Sequence, residues 1–126
     1  AYIDADSDVV LRREEVRRIW SDETLRDWGY AEATGDPIRL RGADYLSDFV
    51  ALAAFETAVP VVVEATVQSG GTVNNAAEIY PGAVIVEFRD EGADDTGTDW
   101  SALRLVFEED ERCQRLIGVI SDRWAP

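Results

Sequence analysis

The 126-residue chain has no histidine, no lysine, no methionine and one cysteine, Cys113. Without His or a second Cys it cannot assemble a Ser-His-Asp or Cys-His triad, a His/Cys zinc site or an internal disulfide. Chemistry is left to carboxylates, Tyr, Arg and hydroxyls, and the residues imply no cofactor and no metal. No apolar run approaches the roughly 20 residues needed to cross a bilayer. The opening AYIDADSDVV also lacks the basic-then-apolar layout of a secretory signal. The expectation is a soluble, cytoplasmic protein. With 46% hydrophobic residues, the chain is long enough for one real core, so a single domain over 1–126 is expected.

What the chain has in excess is negative charge. Twelve basic residues, all Arg, stand against 26 acidic ones, for a net charge of -14. A GC-rich codon usage would explain Arg in place of Lys, but not the carboxylate excess. Adaptation to high salt explains both, because a dense carboxylate shell stays solvated while salt screens its self-repulsion to about 3 Å at molar ionic strength. Residues 1–60 hold seven basic and 13 acidic residues and residues 61–126 hold five and 13, so there is no charged pole. The same charge repels phosphate backbones and anionic lipid, which argues against nucleic acid and membranes as partners.

The periodicity predicts a helix over 8–20, with Asp8 as N-cap, Val9, Val16, Ile19 and Trp20 on one stripe, and a Glu14–Arg18 pair. Residues 24–30 read as an irregular strand placing Leu25, Asp27 and Gly29 on one face and Arg26, Trp28 and Tyr30 on the other. A second helix is expected over 42–57, ahead of Pro60. From there the period becomes that of strands, at 60–68, 83–89, 100–109 and 115–124, the last two joined by the turn DERC as a hairpin. Residues 69–82 read as a long connection rich in Gly and Asn. Helices followed by an antiparallel meander make the fold class α+β.

Three stretches carry a family resemblance: WSDETLRDW (20–28), GADYLSDF (42–49) with its Gly-x-x-x-Leu-x-x-Phe spacing, and LRLVFEEDERCQRLIGVISDRW (103–124). Together with the element order they resemble the NTF2-like superfamily, in particular its SnoaL-like branch. The resemblance implies a cone of short helices packed on a curved antiparallel sheet, often a homodimer, holding a small apolar organic molecule. It places Asp27 where the steroid-isomerase-like members carry a general base, although Trp28 stands where they have Pro. The ending SALRLVFEEDERCQRLIGVISDRWAP also resembles the last strands of GAF-type sensor domains.

Arg104, inside the strand SALRLVF, would need a carboxylate partner such as Glu64, Glu87 or Asp122 if buried, and facing a cavity it would hold an anionic ligand or orient an acid. On an outer face it would instead join a surface ion pair. The epoxide-hydrolase members of the superfamily carry an acid two residues after such an Arg, where this chain has Val106. Asp122 and Trp124 share a strand face with Ile120, so one of them would enter the cavity mouth, Trp124 otherwise closing the core or the dimer face, and Tyr30, Tyr45 and Tyr80 are candidate donors to an oxyanion or members of a core edge. The run DEGADDTGTD (90–99) does not fit a calcium loop, since placing Gly97 at the sixth position puts Leu103 at the twelfth. Two functions follow, besides that of a GAF-type sensor domain. One is binding of a small apolar molecule with isomerase, dehydratase or hydrolase chemistry led by Asp27 and assisted by Tyr30, Arg104, Asp122 and Trp124. The other is a non-enzymatic dimerisation module whose cone is filled by its own large side chains and whose outer sheet face is apolar.

Overall fold

A computed structural model describes residues 2–4, 6–31, 34–50, 52–63, 74–92 and 100–124. Contacts gather into two compact units, Asp6–Glu56 and Ala1–Ala5 with Thr57–Pro126. Both combine short helices with antiparallel strands, and the architecture is α+β. No helix among the described residues is long and apolar enough to cross a membrane.

The 6–56 unit begins with α1, Arg13–Arg17, much shorter than the expected 8–20. Its start is set by Glu15, whose carboxylate accepts the Arg12 backbone N–H at 2.8 Å, so the first turn is satisfied at Arg12 rather than at Asp8. Of the predicted apolar stripe only Ile19 is buried, while Val16 and Trp20 are exposed. Glu14 pairs through its carboxylate with Arg17 at 3.2 Å, and Arg18 donates instead to the Glu14 carbonyl.

Strand β1, Leu25–Tyr30, falls where expected. It pairs antiparallel with β2, Pro37–Arg41, which sequence reasoning missed because a leading Pro and two Arg hide the alternation of Ile38 and Leu40. Register slips between Asp27 and Tyr30, at Gly29, whose φ of 110° only Gly adopts without strain. The helical segment after β2 is broken into three pieces: α2, Gly42–Asp44, a π-helical turn, Tyr45–Phe49, and a 3-10 turn, Leu52–Phe55. The wide turn is closed by Val50 N–H to the Tyr45 carbonyl at 2.9 Å. It lines up the Tyr45 and Phe49 rings, 5.3 Å apart, and Tyr45 stacks in turn on Trp28 at 4.0 Å. Trp28 is fixed by its indole N–H on the Leu40 carbonyl. Gly42 is required by a close approach, since a Cβ there would lie 2.5 Å from Ile19 Cγ1.

The other unit is a four-stranded antiparallel meander, β3 (Val61–Val63), β4 (Val84–Asp90), β5 (Trp100–Asp110) and β6 (Cys113–Trp124), in that spatial order. β5 and β6 form the expected hairpin, with Asp110 opposite Cys113 across a two-residue turn. A bulge between Val106 and Phe107 leaves Ile117 as the extra residue of β6. The strand predicted at 60–68 is described only as far as Val63. Inside the predicted connection 69–82 lies α3, Ala76–Ile79, too short for a periodic signal.

One face of this sheet is closed by its own unit. Ile85, Val106 and Ile120, from three successive strands, pack with Ala76 of α3, and Ile3, Tyr80 and Ala83 pack around them. Asn75 ties the N-terminal segment there, accepting Ile3 N–H at 2.7 Å and donating to its carbonyl at 2.8 Å. Gly118 leaves room for the Tyr80 ring, whose atoms would come within 3.2 Å of a Cβ. Burying each large aliphatic side chain of this cluster stabilises the fold by about 1.5–3 kcal/mol.

Candidate functional site

Further along the same closed face, β4, β5 and β6 each contribute one charged side chain to a single cluster. Glu87 and Arg104 are direct cross-strand partners, and Asp122 lies diagonally from Arg104, opposite Ala102. Alternation along each strand puts all three on the face of Ile85, Val106 and Ile120. Arg104 Nε donates to Glu87 Oε2 at 2.7 Å, and Arg104 Nη1 donates to Asp122 Oδ2 at 3.2 Å. The guanidinium is 2% exposed, with Asp122 at 5% and Glu87 at 14%. Fully buried Ala102, between Arg104 and Trp100 on the strand, brings no bulk of its own, and Arg89 lies over the Trp100 ring at 4.9 Å.

This cluster joins two of the residues the sequence singles out, Arg104 and Asp122, and selects Glu87 and Asp122 from the three predicted carboxylate partners. Glu64 lies outside the described residues. The outer-face surface ion pair, the alternative for Arg104, does not hold, because the strand's parity turns Arg104 toward the closed face. The guanidinium is engaged by two carboxylates in a row of packed apolar residues. Its chemistry there is to hold three strands in register rather than to receive a free anion.

The other candidates are placed elsewhere. Asp27 stands on β1 opposite Arg39, whose guanidinium is 3.8 Å away, and its side chain is 76% exposed. Leu25 and Gly29, expected to line an apolar cavity beside it, are exposed as well. The desolvation that would make Asp27 a base is therefore missing from its surroundings. Tyr30 is exposed, Tyr45 belongs to the ring stack, and Tyr80 packs over Gly118. Trp124 pairs with Trp100 in the ladder, but its side chain lies outside the described residues. Residues 93–99, which hold most of the rejected calcium motif, lie outside them too. Among the described residues no three metal-ligating side chains gather.

Two ion clusters that sequence reasoning did not single out brace the hairpin. Arg26 donates to Asp22 at 2.8 Å and to Glu15 at 3.3 Å, and Arg41 pairs with Asp44 at 2.6 Å and Glu23 at 2.9 Å. Hydrogen bonds from the Thr24 hydroxyl, Arg26 and the Thr24 N–H hold the Asp22 carboxyl well below the usual carboxylate range. The Arg12 N–H, with Arg26, lowers Glu15, and the Arg41 guanidinium lowers Asp44. The only hint in the sequence was the i,i+4 spacing of Asp22 and Arg26. Groups depressed in the folded state stabilise it above their unfolded pKa values of about 3.9 and 4.3, and that contribution is lost as pH falls below them. Arg26→Gln should accordingly destabilise the protein at neutral pH, with the gap to wild type closing between about pH 5 and pH 2 in urea titrations. A gap independent of pH would show that these carboxylates are not held by Arg26.

Comparisons with protein families, with characterised proteins and with solved structures return no match.

Proposed function

We propose that this chain is an NTF2-like interaction module that forms a homodimer through the sheet face opposite the Arg104 cluster. The order of helix, β-hairpin, helical segment and antiparallel sheet supports the NTF2-like reading. The reading as a module rather than an enzyme is supported by a sheet face covered by Ile85, Val106, Ile120, Tyr80 and the Arg104 ion cluster, and by an exposed Asp27.

The observation that carries the dimer is the composition of that opposite face. Val84, Val86 and Phe88 on β4, Leu105 and Phe107 on β5, and Leu116, Val119 and Ser121 on β6 share it, around Leu103, which is already buried within the chain. No carboxylate lies between them in a chain with 26 acidic residues, and Asp90 and Glu109 on the same face border the patch only at its ends. Its β6 margin is open, with Leu116 50% and Val119 45% exposed. A second copy carries the same net charge, so it can approach closely only where carboxylates are missing and apolar area is gained. A patch that meets itself across a two-fold axis satisfies both conditions.

Light scattering at molar salt should give twice the chain mass. Val119→Glu, a surface change within about 0.5 kcal/mol for the folded monomer, should return a single-chain mass by setting like charges against each other across the axis. A wild-type monomer at molar salt, or a Val119→Glu dimer, would refute the assignment.

A further inference from the structure

Among the described residues at least seven arginines form an ion pair within 4 Å of a carboxylate, and Arg12, Arg13, Arg18 and Arg112 form none, although Arg12 lies near enough to Glu15 to attract its carboxylate. Three of these four fall between positions 12 and 18, and they line one open groove of about 620 Å³ beside α1. Through Glu15 and Arg18 the groove continues into a second one of about 450 Å³ that reaches Arg26.

The carboxylates along this path are all engaged. Glu14 holds Arg17, Glu15 holds the Arg12 N–H and Arg26, Asp22 holds Thr24 and Arg26, and Glu23 holds Arg41. Arg18 gives only its Nε, to the Glu14 carbonyl. What remains toward solvent is a set of guanidinium donors with no acid to receive them, in a protein whose net charge is -14. Val16 and Trp20, the latter 66% exposed, stand on the same short stretch. Neither lines the groove itself, but Trp and Arg are the residue types that dominate binding energy at protein interfaces.

We infer that this groove docks an acidic peptide segment of a partner protein, with carboxylates on Arg12, Arg13 and Arg18 and an apolar side chain against Val16 and Trp20. Its shape favours an extended chain, since a shallow open groove does not enclose a small molecule. Its reach favours a peptide over a membrane. An anionic bilayer is an extended plane that meets the whole acidic surface, whereas a short segment meets only charges within a Debye length of about 8 Å.

Fluorescence anisotropy with a fluorescein-labelled peptide of repeated Glu-Glu-Leu tests the inference, with a Lys-Lys-Leu peptide and phosphatidylserine vesicles as the other arms. Saturable binding of the Glu-Glu-Leu peptide alone is expected at about 0.15 M salt, weakening toward 1 M. Arg13→Gln and Arg18→Gln should each lower affinity about tenfold, and Arg112→Gln in the β5–β6 turn should leave it unchanged. Thermal melts of each variant check that the fold is kept. Absence of saturable binding, equal loss in Arg112→Gln, or binding of the vesicles in place of the peptide would each overturn it.

Discussion

Arg104→Met should destabilise the protein by about 3–5 kcal/mol, lowering the melting temperature by roughly 10–20 °C for a chain of this size. The substitution keeps most of the side-chain length and removes the charge. What it leaves behind decides the magnitude. Glu87 and Asp122, 14% and 5% exposed, would face each other without the guanidinium that now donates to both. Two carboxylates in that position must either repel in a poorly solvated site or take up a proton, and both outcomes oppose folding. Arg104→Lys should cost less than Met but more than nothing, because a point charge on a flexible stem cannot serve Glu87 and Asp122 with the fork of a guanidinium. The triple change of Glu87→Leu, Arg104→Met and Asp122→Leu should recover most of the loss, since replacing a whole buried ionic cluster by apolar residues is often neutral or stabilising. Urea unfolding of the four proteins measures this directly. A loss below about 1 kcal/mol for Arg104→Met would mean that water reaches the cluster and that the strands are held by apolar packing alone.

Molar KCl or NaCl should raise the melting temperature, and here two electrostatic effects oppose each other. Salt weakens the exposed ion pairs, such as Arg17–Glu14 and Arg115–Glu108, but a surface pair contributes only about 0–1 kcal/mol. Salt also relieves the repulsion among 26 carboxylates that only 12 arginines offset. The second effect acts across the whole surface and at all distances within the low-salt Debye length, so it wins. The Arg104 cluster, buried, is screened little and keeps its contribution. Melts in a salt series from about 0.05 M to 2 M should rise throughout, and more steeply for the wild type than for a variant with several surface Asp changed to Asn. A flat or falling series would reject salt adaptation as the reason for the acidic composition.

Light scattering at molar salt and an Asp27→Asn variant separate the functional readings. A protein held together by a filled sheet face, dimeric at high salt and indifferent to Asp27→Asn, behaves as an interaction module. Asp27 on its exposed hairpin gives no reason to expect more than about 0.5 kcal/mol from that change.

Read by itself, the sequence determined which side-chain chemistries are excluded, the acidity and the longer strands. These depend on composition and on local period, which need no knowledge of what packs on what. Absent His, a lone Cys and an excess of carboxylate are properties of the list of residues. The strands of β4, β5 and β6 were legible because alternation persists over many residues with a tight turn between β5 and β6. Tertiary structure decided everything that depends on which face is covered. Period two says that Leu25, Asp27 and Gly29 share a side, but not whether water or a core lies there, and it lies open. Arg104 showed the reverse: its need for a partner followed from its position in an apolar strand. The choice of Glu87 and Asp122 came from antiparallel register, which brings residues 17 and 18 positions away within hydrogen-bonding distance. The short elements, α1, α3 and the broken helix after β2, escaped sequence reasoning for the same cause. Their ends are set by single contacts such as Glu15 on the Arg12 N–H and Ile19 against Gly42, and a single contact leaves no periodic trace.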